Sequence, residues 1–288
     1  MPRRLSYYVV IAAFTVALVC GPLLSVLATP TADGLHWARQ QPQFTLQVGD
    51  NVDGVWNGML QEVVADWNAG ETVTFQIVGG GTGPQECRPT TGRVEVCNWR
   101  YGTQEGWLGL TRLYFDASGE HIDSATVQMN DSFFDTASEY NTDAARQHTL
   151  CHEIGHTLGL DHVATDSCLN DSQFAVFHHL VPITKDFNQL ERIYRHSDAM
   201  TTVAGGQETG AKDTPKKDTK GKTKRGKSGK NERNRGRDRR QVRDQHVSGE
   251  RIHRAGNASE TVTIETLPDG QKVVSFITWA QNPASEAS

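Results

Sequence analysis

The sequence predicts an α+β domain, and three observations carry that prediction. First, short runs read as strands: FTLQV from Phe44, TVTFQIV from Thr72 to Val78, Trp107 to Phe115, and ATVQMN from Ala125 to Asn130. Second, Trp56, Met59, Leu60, Val63, Val64 and Trp67 recur at helical spacing within Val55 to Asn68, so one face of a helix is apolar and belongs to the core. Third, the stretch from His148 to His162 (HTLCHEIGHTLGLDH) places its polar groups at spacings that only a helix brings together. This helix is expected over Thr142 to Leu158. A further helix is expected over Asp186 to His196, with Phe187, Leu190, Ile193 and Tyr194 at core spacing.

The third stretch carries the chemistry. His152, Glu153, His156, Gly159 and His162 spell HExxHxxGxxH. Residues four apart share a helix face, so His152 and His156 present their imidazoles to one metal ion. Glu153 lies about 100° further round, where it reaches a water at the metal without ligating it. His162 cannot reach back from a straight helix, so Gly159 is expected to end the helix in a φ > 0 conformation and turn the chain toward the metal. Three neutral imidazoles leave a fourth position open, the arrangement of a catalytic rather than a closed structural zinc site.

These five positions resemble the zinc signature of the metzincin metalloproteases, and the surroundings resemble the matrixin (matrix-metalloprotease-like) branch. Supporting matches are GWLGLTRLYFD before the helix, SCLNDS from Ser167 to Ser172, and DFNQLERIYRH from Asp186 to His196; together they span roughly residues 40 to 197. The resemblance implies a twisted, mixed and mostly parallel sheet, two main helices and a small C-terminal lobe carrying His162. It implies Zn2+ on His152, His156 and His162, with Glu153 as the catalytic base of an endopeptidase acting on a protein or peptide substrate. It makes Ala125 to Asn130 the antiparallel edge strand along the cleft, ready to accept an extended peptide as a further strand. The family's turn methionine beneath the zinc is here Leu169, which supplies similar apolar volume. Structural Ca2+ is common in such proteins, but no ligand set for it can be carried over to this sequence. A propeptide with an inhibitory cysteine motif is not expected.

Charge divides the 288-residue chain. Residues 211–254 hold 17 Lys/Arg against 6 Asp/Glu, whereas the whole chain has a formal net charge of −5, so an acidic body carries a basic tail. Residues 1–28 have Arg3 and Arg4 ahead of an uncharged, mostly apolar run from Tyr7 to Ala28. Gly21-Pro22 interrupts that run and favours a cleaved signal peptide over a retained membrane anchor; the chain would contact a membrane only if residues 7–28 are kept. Both readings put the body outside the cytoplasm, secreted or anchored at the outer face. With Cys20 in this segment, Cys87, Cys97, Cys151 and Cys168 remain, and four cysteines allow three pairings. Proximity favours Cys87–Cys97 and Cys151–Cys168 without deciding between the pairings, and Cys87 to Cys97 reads as a disulfide-closed excursion.

The domain organisation that follows is a leader or anchor over 1–28, a metallopeptidase domain over 29–204, a basic disordered linker over 205–257 and a β-hairpin-like segment over 258–288. The linker is nearly devoid of apolar residues and cannot offset its ordering entropy by burial. It is a solvated spacer, or a tether for a polyanion or anionic surface through residues 211–254. TVTIETL-PDG-QKVVSFITWA, from Thr261 to Ala280, is two alternating runs about a turn; a lone hairpin is marginal in water and needs the body, a second copy or a surface to pair with. The tail is expected to contribute nothing to the zinc site. The competing function class is a surface-binding protein whose zinc lobe has decayed and whose tail does the binding; the intact Glu153 argues against it.

Overall fold

The computed structural model describes residues 34–104, 106–136, 139–170, 177–205, 250–252 and 260–280. The expected leader, and residues 206–249 and 253–257 of the expected linker, lie outside them. Twelve elements are described: β1 (Phe44–Asn51), α1 (Trp56–Trp67), β2 (Val73–Gly79), β3 (Arg93–Trp99), β4 (Trp107–Phe115), β5 (Ile122–Asn130), α2 (Asp131–Phe134), α3 (Asp143–His156), α4 (Thr184–Ile193), β6 (Glu250–Ile252), β7 (Glu260–Thr266) and β8 (Lys272–Trp279). Among the described residues no helix is long and apolar enough to cross a membrane.

The strands form one mixed sheet in the order β2-β1-β3-β5-β4-β8-β7-β6. β2, β1, β3 and β5 pair in parallel, and every pairing from β5 through β4 and β8 to β7 and β6 is antiparallel. This corrects three expectations. The sheet is not mostly parallel, because the C-terminal strands add antiparallel pairings. Ala125 to Asn130 lies in β5, an interior strand between β3 and β4; the antiparallel strand beyond it is β4. Within the stretch expected to be a disordered linker, Glu250–Ile252 is a strand. The excursion ending at Cys97 also contains more than a loop, because Arg93–Trp99 is β3, running between β1 and β5.

The core follows from the sequence pattern. Trp56, Met59, Leu60, Val63, Val64 and Trp67 of α1 are all buried, as their spacing requires. The Trp67 indole donates to the Cys151 carbonyl at 3.1 Å, tying α1 to α3. α3 starts at Thr142, whose hydroxyl accepts from the Ala145 amide at 3.1 Å, the usual satisfaction of a first-turn donor. Beyond its end, the Trp37 indole donates to the Thr157 carbonyl at 2.8 Å, and the Tyr194 hydroxyl, just past α4, donates to the Leu158 carbonyl at 3.1 Å. Leu190, Ile193 and Tyr194 are buried, while Phe187 sits partly buried with its ring edge-on to Trp67. The cysteines pair as proximity favours: Cys87 with Cys97, and Cys151 with Cys168.

Candidate metal centre

The chain enters the site along α3 and leaves it at Gly159, whose φ of 80° is the left-handed turn expected of it. That turn brings His162 back to His152 and His156. The rings of His152 and His156 stand 4.6 Å apart between centroids, and that of His162 lies 5.2 Å from His152 and 4.9 Å from His156. A fourth group joins them from far along the chain. Glu260, the first residue of β7, places Oε2 at 2.9 Å from His152 Nε2 and in contact with His162 Nε2, while its Oε1 lies 3.3 Å from His156 Nε2. One ligand atom from each of the four residues falls within 4.8 Å of all the others. Four donors around a tetrahedral zinc, with bonds of about 2.0–2.2 Å, stand some 3.3–3.6 Å apart, so this set fits one ion.

Hydrogen bonding orients the imidazoles for that role. His152 Nδ1 lies 2.8 Å from the Cys168 carbonyl, and His156 Nδ1 lies 2.8 Å from the Leu160 carbonyl. An Nδ1–H donated to a carbonyl fixes the tautomer and leaves Nε2 with its lone pair toward the centre, as in metal-ligating histidines generally. At His156 the consequence is sharp. Burial holds its pKa down at about 4, against the pull of the Glu260 charge, so the ring is neutral. Its Nε2 and Glu260 Oε1 are then two buried acceptors facing each other, neither with a hydrogen-bond donor. Such an arrangement is repulsive unless a cation sits between them. At His152 burial opposes protonation, but the Glu260 carboxylate overrides it and raises the pKa; that carboxylate, though desolvated, is held well below the usual range, His162 foremost among the imidazoles that do so. The donor set is that of a candidate metal centre.

Glu153 points to the sheet side of α3. Its Oε2 accepts from the Thr111 hydroxyl of β4 at 2.6 Å, and its Oε1 from the Thr278 hydroxyl of β8 at 2.6 Å. Burial pushes this carboxyl up to about 7, the Glu260 charge adding to the effect while His152 and the two hydroxyls counter it. His148, one turn before His152, is also buried and donates its Nδ1–H to the His179 carbonyl at 2.8 Å; burial lowers its pKa to about 3. It is a neutral packing residue, not a member of the cluster.

The turn beneath the site runs from Ser167 to Asn170. Cys168 is bonded to Cys151, the residue before His152, and offers its carbonyl to His152 Nδ1. The Ser167 hydroxyl donates to Asp186 of α4 at 2.5 Å and accepts from the Leu169 amide at 3.0 Å. Leu169 is fully buried, with its Cδ2 against Gly155, where a β-carbon would come within 2.7 Å of it. It is therefore an apolar floor to α3 on the face opposite the sheet. Leu169→Ala should lower stability by about 3 kcal/mol in urea unfolding, because the cavity cannot close under a rigid helix. Leu169→Met should cost less than about 1.5 kcal/mol, since volume is kept.

Four residues at this site were not expected from the sequence: Thr111, Glu260, Thr278 and Phe276. The Phe276 ring stacks on His156, 4.2 Å between centroids at 10°. The expectation that the tail contributes nothing to the site is therefore overturned, because β7 and β8 pack into it. A signal was present. Glu260, Val262 and Ile264 share one parity in β7, so the acid lies on the same face as the apolar residues. A second histidine cluster lies elsewhere: His36, His121 and His196 surround Asp198 Oδ1 at 3.3 to 3.6 Å, while Asp198 Oδ2 pairs with the buried Arg39 guanidinium at 3.1 Å. It clasps the segment before β1 to the residues after α4.

No protein-family model, no curated protein and no solved structure matches this chain.

Proposed function

We propose that this chain is an exported zinc-dependent endopeptidase of the metzincin kind. The observation that carries the reading is the convergence of His152, His156 and His162 on one point, with Glu153 beside them on the same helix. Those three histidines would hold the metal. A zinc ion there supplies Lewis acidity toward the scissile carbonyl and acidifies the attacking water. Glu153 would take the proton from that water and pass it to the leaving amine; the Thr111 hydroxyl, donating to Oε2, fixes the orientation of its carboxylate. Water is the nucleophile: Cys151 is bonded to Cys168 and offers no thiolate. β4, paired with β5 on one side and β8 on the other, would offer its edge to an extended peptide by main-chain hydrogen bonding only where β8 is displaced. The two disulfides accord with folding in an oxidising compartment, and a basic tail accords with contact to a polyanion or anionic surface.

A second reading has one observation in its favour. With Glu260 the centre has four protein groups, as in closed structural sites, so the metal could serve as a staple in a surface-binding protein without activity. Casein and a random peptide library, incubated with the zinc-loaded full chain and with its Glu260→Ala variant, separate the two. Cleavage that a zinc chelator abolishes is the expected result. Intact substrates in both incubations, at full zinc occupancy, would leave the staple reading standing.

A further inference from the structure

The C-terminal hairpin occupies every feature of the site that a substrate needs. β8 pairs antiparallel along β4, from Trp107 opposite Trp279 to Tyr114 opposite Val273, and so consumes the strand edge on which an extended peptide would lie. Thr278 donates to Glu153, engaging the oxygen of the base that β4 leaves unbonded. Phe276, fully buried, covers the His156 ring. Directly across the hairpin from Thr278 stands Glu260, its side chain only 3% exposed and its carboxylate against all three histidines. A carboxylate that deeply buried is stable only with cationic partners. The opposite ends of this arrangement are apolar: Val274 and Phe276 belong to the core, and Val262 and Ile264 pack against it. Beyond β8 and β7 the sheet adds only the three-residue β6, and so small an antiparallel unit is held in order by this docking.

We propose that β7–β8 is a built-in occupant of the peptide cleft that holds the centre closed, with Glu260 as the metal's fourth ligand and β8 in the place of a substrate strand. The proposal rests on the peptidase reading for its biological meaning, but the contacts that carry it do not. Substrate and hairpin exclude each other at the β4 edge, at Glu153 and at the metal. The active form is therefore the one from which the hairpin has left, and anything that removes it from β4 activates the centre.

The test uses the zinc-loaded full chain and two probes: a short extended peptide hydroxamate, which needs both the β4 edge and the metal's fourth position, and a competing chelator. In Glu260→Ala the hydroxamate should bind about tenfold more tightly, the relief expected when a competent state held near a tenth of the population becomes dominant. Zinc affinity should move the other way, falling by about tenfold or more as one ligand is lost. A merely structural glutamate gives no such opposed pair of shifts. Hydroxamate affinity that stays unchanged or falls, or zinc affinity that stays unchanged, overturns the proposal. Should circular dichroism show Glu260→Ala misfolded, Glu260→Gln, equal in size but a weaker ligand, decides by the same two signs. Hydrolysis of a fluorogenic peptide is read alongside. Opposed shifts with no hydrolysis in either protein keep the hairpin's role and remove the peptidase reading; equal hydrolysis in both proteins removes the hairpin's role.

Discussion

Glu153→Gln should lower kcat/KM by about 10²- to 10⁴-fold, the usual contribution of a positioned general base, while zinc stays bound. The measurement is best made in the Glu260→Ala background, where the cleft is open on the reading above. The amide keeps the shape of the side chain, and its oxygen can still accept from Thr111 or Thr278, so α3 and the three ligands are undisturbed. What the amide cannot do is take a proton. Metal analysis and peptide hydrolysis on the same sample make the distinction. A variant that retains full zinc and more than about a tenth of the rate would show that another group removes the proton.

Gly159→Ala should be the most damaging single methyl in the domain. The position has φ 80°, a region that costs a residue with a β-carbon about 1 kcal/mol or more. The added carbon would also overlap the backbone carbonyl oxygen of Leu35, which cannot swing aside as a side chain can. Leu35 leads into Trp37, whose indole donates to the Thr157 carbonyl, so a shift here disturbs the support of α3 as well as the path to His162. The expected loss is about 3 kcal/mol or more in urea unfolding, with zinc affinity reduced beyond what the stability change explains. If the variant unfolds at the wild-type midpoint and binds zinc equally well, the turn does not position His162 as described.

Much of this was legible in the sequence for a definite reason. The apolar face of α1, the three histidines and Gly159 are local patterns, and each is fixed by the period of one helix or the φ of one residue. The misreadings concern which strand lies beside which, and whether a short segment forms a strand at all. β3 is buried from Val94 through Asn98, on both faces, so RVEVCNW shows no clean alternation to separate it from the loop that Cys87 opens. The edge position expected of β5 came from the resemblance alone, since its own residues cannot say whether one neighbour or two accept its hydrogen bonds. Glu260 stands one residue ahead of the alternating run that begins at Thr261, and only the pairing of β8 with β4 carries it to the histidines. The hairpin itself was legible, and so was its need for a partner.

The pairing of β8 with β4 also orders events in time. Thr278 and Glu153 meet across 125 residues of sequence, and a contact at that separation forms only after the loop entropy between them is overcome. The strands and helices through α4 are complete in the chain before β7 exists, and domains fold as they are made, at about 5–20 residues per second during synthesis. The centre of this protein is thus assembled before its cover. Refolding experiments should accordingly resolve two phases: acquisition of the metal by the histidines, then a slower change in the environment of Trp279 as the last strands seat against a sheet already formed.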